Sequence, residues 1–441
     1  MRAHRIALIL CMTAACAADS APSRDQVVVA VDTDADVPRM FDRARIRILD
    51  AQRQVACSTC TRDLPLASSV GWPLSFGVER PTSAGPSFVQ VTLYRAGHFD
   101  GNVIAPPTAL ETVAELRFDA GIVHERVFLS MECVARASDL TAGTTCVSAT
   151  QTSVPIQPAA VDSGAPSSIG RWHAELRRGC AAEQAPSSDP YRAEVCVPGG
   201  TYWMGSTRHV GAGRIDPVPE HVVAVAPFWV DQFPFTIGRY RAAKASGFAP
   251  NVEPRGTREG CSFATNAPDT LPLTCVTPTV AAALCAHEGK RLLSEAEWEW
   301  MAGGREHHWE HPWGDDERPC VAVGAATFNC AAVPASVIVS PNVSVGLNPL
   351  DVSLDGVVDL TGTVATVLAD DYATYDGACW SQETGEVSPV CRLSAPNEGV
   401  SARGGHSINT GPAWFRVTAR KNVAASPLSE VGLRCARDGG E

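Results

Sequence analysis

Reactive side chains fall at usable spacings in several short stretches of this 441-residue chain. His307-His308-Trp309-Glu310-His311 sets His307 and His311 four apart, a metal-ligand spacing if the segment is helical. Gly303-Gly304 before it and Pro312 after it argue against a helix, so a solvated histidine-rich loop is the expectation. Cys57-Ser58-Thr59-Cys60 has the spacing of a redox dithiol, but no βαβ pattern surrounds it, which favours a structural disulfide. Gly405-His406-Ser407 places a hydroxyl beside a base without the Gly-x-Ser-x-Gly elbow that would expose a nucleophile. Trp298 and Trp300 read as core packing rather than a stacking platform.

The sixteen cysteines carry more information. Arg2, His4 and Arg5 precede the apolar run IALILCMTAACA, which is too short to span a bilayer and reads, with residues 1–18, as an export signal. Thr13-Ala14-Ala15-Cys16 fits a bacterial lipobox with Cys16 acylated, and Ala15-Cys16-Ala17 also fits ordinary signal peptidase. Both readings set Cys11 and Cys16 aside and leave an even number, as expected for disulfides in an oxidising compartment. Spacing suggests the pairs Cys57–Cys60, Cys133–Cys146, Cys180–Cys196, Cys261–Cys275, Cys320–Cys330 and Cys379–Cys391. Cys285 and Cys435 remain for a long-range bond, although spacing alone does not fix connectivity. The expected location is the bacterial cell envelope, lipid-anchored in the outer membrane through Cys16, or otherwise periplasmic or secreted.

The elements that must hold these residues fall into two groups. Apolar content of 45% and charged content of 19% are those of a globular protein. A net charge of -12 without a basic run excludes nucleic acid as a partner. Residues 26–157 read as an all-β, sandwich-like domain: VVVAV, the alternating Ala44–Ile48, the Val89, Val91, Leu93 set and the Val127, Leu129, Met131 set all have period 2. Residues 158–172 are rich in Pro, Ser, Ala and Gly and read as a linker. In residues 173–441 two helices can be placed. Thr236 caps IGRYRAAKAS before Gly247, and Ser294 with Glu297 forms a capping box that opens AEWEWMA.

Several blocks of this second domain, in order, resemble the formylglycine-generating-enzyme (sulfatase-modifying-factor) family. They are VPGGTYWMGS, Pro219-Glu220-His221-Val222 with PFWVDQFPFT, GKRLLSEAEWEWMAGG, His311-Pro312-Trp313-Gly314, Ala402-Arg403-Gly404-Gly405 and Val431-Gly432-Leu433-Arg434-Cys435. The resemblance spans roughly 190–437. It implies an α+β, variant C-type-lectin-like fold with little regular structure, and a disulfide between Cys285 and Cys435. It also implies an oxidase that turns a cysteine of a sulfatase peptide into formylglycine, with two thiolates between the last two blocks holding copper. Here that interval has no cysteine, and Asn409 and Trp414 stand near where the thiols would fall. The family's G-N-V-W-E-W block, which ligates calcium, is replaced by Gly362-Thr363-Val364-Ala365-Thr366-Val367. Neither copper nor calcium is therefore expected as a cofactor, no residue is assigned a catalytic role, and no metal site is expected. Arg403, Arg416, Arg420 and Arg434 occupy positions that in the family line or buttress the substrate groove, so with Asn409 and Trp414 they are the binding-groove candidates, set against a purely structural salt-bridging role. The expected function is a non-catalytic binding or structural module for an unidentified protein or peptide ligand. The alternative is an enzyme of the family with unorthodox active-site residues.

Overall fold

A computed structural model of the protein describes residues 25–68, 71–80, 85–98, 108–181, 188–207, 217–254, 261–315, 344–347, 351–377, 379–380, 387–394, 399–405, 415–423 and 431–440. The period-2 segments of the first domain become long strands. These are β1 (Gln26–Thr33), β2 (Arg43–Leu49), β3 (Thr61–Pro65), β4 (Leu74–Glu79), β5 (Ser87–Tyr94), β6 (Leu110–Leu116) and β7 (Ile122–Leu129). The short pieces β8 (Thr144–Thr145), β9 (Val154–Pro155) and β10 (Ala160–Val161) follow. They form two four-stranded sheets, ordered β10-β7-β1-β4 and β3-β2-β5-β6. Val27, Val29 and Val31 of one sheet and Val89, Val91 and Leu93 of the other point into one shared core, which is a sandwich. β5 is buried on both faces rather than one. The β8–β9 hairpin covers its outer face, where Leu49, Phe88 and Val113 pack with Leu140 and Ile156.

The segment 158–172 connects the domains but is not a free tether. β10 pairs with β7 at Ala160↔Arg126, and the buried carboxylate of Asp32 accepts from Ser167 Oγ at 2.6 Å and from the Ser168 amide. Ile169 and Trp172 then pack against the sandwich core. Polar groups that composition assigns to solvent satisfy a buried acid instead, and this converts the linker into a strap.

The second domain has shorter strands. They are β11 (Glu194–Val197), β12 (Gly200–Met204), β13 (His221–Val225) and β14 (Phe228–Asp231), then β15 (Arg291–Leu292), β16 (Ala365–Asp371), β17 (Val400–Arg403), β18 (Lys421–Val423), β19 (Val431–Gly432) and β20 (Cys435–Asp438). The sheets run β11-β14-β20-β15 and β18-β17-β16-β19, beside the β12–β13 hairpin. Three helices stand out among the described residues: α1 (Ile237–Ala245), α2 (Pro278–His287) and α3 (Glu295–Ala302). Thr236 caps α1 by accepting from the Arg239 amide at 3.3 Å, and Gly247 leaves with φ of 100°. The capping box of α3 forms on both sides: Ser294 Oγ accepts from the Glu297 amide at 3.1 Å, and Glu297 accepts from the Ser294 amide at 2.9 Å. α2 escaped the residue-by-residue reading, although Thr277 as cap with Pro278 behind it is a start signal.

Six of the seven expected disulfides are present: Cys57–Cys60, Cys133–Cys146, Cys180–Cys196, Cys261–Cys275, Cys285–Cys435 and Cys379–Cys391. Cys320 and Cys330 lie outside the described residues. Cys285 on α2 and Cys435 at the start of β20 close 150 residues; in the chain-entropy account this restricts the unfolded chain by about 5 kcal/mol. The two domains share a core. Trp203 of β12 is buried in the sandwich cluster, donates Nε1 to the Met40 carbonyl at 2.8 Å and packs edge-on to Phe41.

Candidate functional site

Glu295 and Glu299 lie four residues apart on α3, so both carboxylates point to one face of the helix. α3 is buried along its length, and neither acid can stay ionised there without a partner. The closing segments supply two. Arg403 at the end of β17 donates Nε to Glu295 at 3.0 Å and sets Nη2 2.7 Å from Glu299. Arg420 donates Nε and Nη2 to the two oxygens of Glu295 at 2.7 and 2.9 Å. Ser401 Oγ donates to the same carboxylate at 3.0 Å. Further guanidinium donors reach carbonyls, Arg403 that of Val417 and Arg420 that of Ala373. Tyr375 accepts from Arg403, and its ring lies 3.9 Å from the Arg420 guanidinium.

Burial pushes the Glu295 carboxyl up, but Arg420 and Arg403 outweigh it and hold the acid at about 2. Glu299 faces one arginine that it shares, and there burial wins, so its carboxyl titrates above the usual range. Asp370 of β16 is pushed by burial and by the charge of Glu295 to about 8. It accepts from the Glu295 amide and the Cys391 amide, each at 2.7 Å, and so joins the start of α3 to the Cys379–Cys391 loop.

This geometry favours the buttressing and salt-bridging role over direct ligand contact for three of the arginines. Arg403 and Arg420 are buried and spent on α3. Arg434 is buried too; it donates Nη1 to the carbonyls of Asp231 and Gln232 and Nη2 to that of Val358, each at 2.7 Å. Guanidinium donors satisfied by carboxylates and carbonyls inside the fold cannot also recognise a ligand without breaking it. Arg416 is different: it is partly exposed and pairs with Glu310 at 2.7 Å. Asn409, Trp414, His406 and Ser407 lie outside the described residues.

Glu310 leads to the cleft. A pocket opens beside Arg95, Tyr202, Glu220, Glu299, His308 and Trp309, with Glu310 and Thr418 on its rim. Arg95 comes from the end of the sandwich and pairs with Glu220 at 2.9 Å, while Glu220 also accepts from the Thr207 amide. His308 Nε2 accepts from the Trp203 amide at 3.1 Å, which places its ring proton on Nδ1. The cleft is thus lined by carboxylates, aromatic rings and guanidinium groups from both domains, Arg95 from the sandwich and Arg305 from the second domain.

The other motifs settle into structure. Residues 303–311 form a 3-10 turn and loop, not a helix; His307 stacks on Trp309 and His311 on Trp313. Thr363 and Thr366 stand where the calcium-binding block would carry its Asn and Glu, and both are buried. The nearby carboxylate, Asp370, is taken by two amides. Trp298 and Trp300 are core residues as expected. Glu299, Tyr202 and Arg95 were missed by the sequence reading. The i,i+4 spacing of Glu295 and Glu299 on an apolar helix was a usable signal for the first, but nothing local marks Arg95.

Residues 181–439 match the family described as the sulfatase-modifying factor enzyme 1-like domain. The chain is 28% identical over 177 residues to the formylglycine-generating enzyme of Streptomyces coelicolor, across 32% of this chain and 56% of that protein, or about half the relative's length. It is 25% identical over 302 residues to the formylglycine-generating enzyme of Thermomonospora curvata, across 55% of this chain and 93% of the relative. The structure of PvdO from Pseudomonas aeruginosa superposes with a TM-score of 0.44 at 26% identity, covering 56% of this chain and 94% of PvdO. With the family match spanning more than half of its length, the chain belongs to the formylglycine-generating-enzyme (sulfatase-modifying factor) family.

Proposed function

We propose that this protein is an exported envelope protein whose family domain works as a non-catalytic binding module for a protein or peptide. The observation that carries this reading is the interval from Arg403 to Arg434, which has no cysteine. Soft Cu(I) needs thiolates, and the family chemistry needs two of them there. The described cysteines are all joined in pairs elsewhere. The residues present therefore do not fit copper, and the calcium block, with Thr363 and Thr366 in place of Asn and Glu, does not fit calcium. What remains is the framework around α3, which holds the closing segments in position without a redox centre. The cleft between the domains is the place for a ligand, and its partly exposed Trp309 and Thr418 supply surface that would meet a peptide, while the Arg95–Glu220 pair holds the two domains together beside it. Anchoring through Cys16 would hold this cleft at a membrane surface.

The test is direct. Copper-loaded protein is incubated with a sulfatase-type cysteine peptide under air, and the peptide mass is followed. The expected result is no thiol-to-aldehyde change above a copper-only control. Turnover above that control, lost on replacing Asn409 or Trp414, would establish an enzyme with unorthodox ligands instead.

A further inference from the structure

The Cys57–Cys60 bond differs from the other described disulfides in three respects. It alone has an exposed cysteine: Cys57, Ser58 and Thr59 are exposed and Cys60 is partly buried. By contrast, Cys133, Cys146, Cys285 and Cys435 are buried, as are Cys275 and Cys391, and Cys180 with Cys196 is half-covered. It also spans a sequence separation of 3, whereas the others span 12 to 16 or 150. A loop so short restricts the unfolded chain least, so losing the bond changes the folding equilibrium least. Finally, its hairpin does not depend on it. β2 and β3 pair from Arg43↔Pro65 to Arg47↔Thr61, and the Ile48 amide donates to the Cys60 carbonyl, the Ala56 amide to the Ile48 carbonyl and the Cys60 amide to the Cys57 carbonyl. These backbone bonds would keep the two thiols facing each other after reduction, at a Cα separation of 5.0 Å.

From this placement we infer that Cys57–Cys60 is a thiol–disulfide exchange site whose partner is a dithiol protein. A thiolate of the partner attacks the sulfur of the exposed residue Cys57; the S–S bond breaks, and Cys60 leaves as a thiolate and takes up a proton. The partner's second thiol then loses its proton and attacks its own sulfur in the mixed disulfide, and Cys57 leaves as a thiolate. Thr59 Oγ1, 3.4 Å from the Cys57 sulfur, is placed to donate to it. Two electrons pass to this chain, and the partner becomes a disulfide; the reverse order of steps reoxidises the pair. The held geometry selects the partner's class. A monothiol that opened the bond would leave Cys60 beside the mixed disulfide, and Cys60 would expel it. A partner with a second thiol of its own completes the transfer in competition with that expulsion.

The full chain is incubated with graded dithiothreitol as the dithiol probe, or with graded glutathione as the monothiol probe. It is then quenched with an alkylating reagent and mapped by mass spectrometry. The expected result is alkylation of Cys57 and Cys60 at a dithiothreitol concentration at least tenfold below that which opens any other mapped disulfide. Glutathione at equal thiolate should be at least tenfold less effective. Circular dichroism should be unchanged at that point, and removing the dithiol under air should restore the bond. Joint reduction with the buried disulfides, or loss of fold on selective reduction, would overturn the proposal. A Cys57→Ser/Cys60→Ser variant provides an independent check: it should unfold at the parent temperature, and a clear drop would show that the bond is structural.

Discussion

The two halves of the molecule solve the same burial problem with different materials. The sandwich rests on two sheets whose alternating residues meet in one apolar core, and its buried acids Asp32 and Glu125 serve to fasten the strap and the sheet edge. Among its described residues the family domain has strands of 2–7 residues and three helices of 8–10. Among its two apolar clusters it also buries charge: Glu295 and Glu299 with Arg403 and Arg420 in one network, and Asp231 with Arg239 at 2.8 Å and Lys290 at 2.5 Å in another. A sheet repeats one contact many times, so single side chains can change. An irregular domain uses each buried pair once, and removing one partner strands the other.

The largest effect that tests this contrast should come from Glu295→Gln, which keeps shape but leaves two buried arginines undercompensated. A loss of about 3–5 kcal/mol in denaturant unfolding is expected. On the sandwich, Arg45→Ala removes a pair whose acid, Asp63, is 43% exposed; a loss within about 1 kcal/mol is expected there. Similar losses at the two sites would erase the contrast. Next comes the seam. Trp203→Ala empties a site in the sandwich core from the other domain's β12, and a loss of about 3–4 kcal/mol should accompany separation of one unfolding transition into two. One sharp, unshifted transition would mean that the domains do not share stability.

A pH dependence tests the packing of a single histidine. The partly buried His221 ring packs against Tyr375 and Trp380, and the desolvation lowers its pKa from 6.5 to about 4. Its folded value lies below its unfolded one, so its contribution is present above pH 6.5 and is lost as pH falls towards 4. The full loss is at most about 3 kcal/mol. Asp370, raised to about 8, and Asp351, raised to about 7, act in the opposite sense and favour folding as pH falls through those values. The difference between the parent and His221→Gln stability curves isolates the histidine. A constant difference between pH 7 and 4 would show that His221 does not titrate as described.

The strands β1, β2, β5 and β7 were legible because side-chain direction alternates strictly in a strand, so apolar residues at period 2 report a buried face. The caps of α1 and α3 were legible for a related reason: a helix start satisfies its own amides with residues at fixed short offsets. The local disulfides followed from spacing, and family membership from the ordered blocks around α3. The arginines were identified by type and position, but their role was not. Whether Arg403 faces a ligand or Glu295 depends on how β17 lies against α3, more than 100 residues away in the chain. The same holds for the strap, since nothing near Ser167 indicates that Asp32 awaits it 135 residues earlier. The cleft too is a tertiary product, because Arg95 reaches Glu220 only through the docking of one domain on the other. Local pattern thus determined most of the elements, spacing suggested the short-range disulfides, and the ordered blocks gave the family with its long-range bond. Partner choice among buried polar groups was decided by the tertiary structure, because a desolvated charge takes whichever counter-charge the packing brings within reach, however far along the chain it lies.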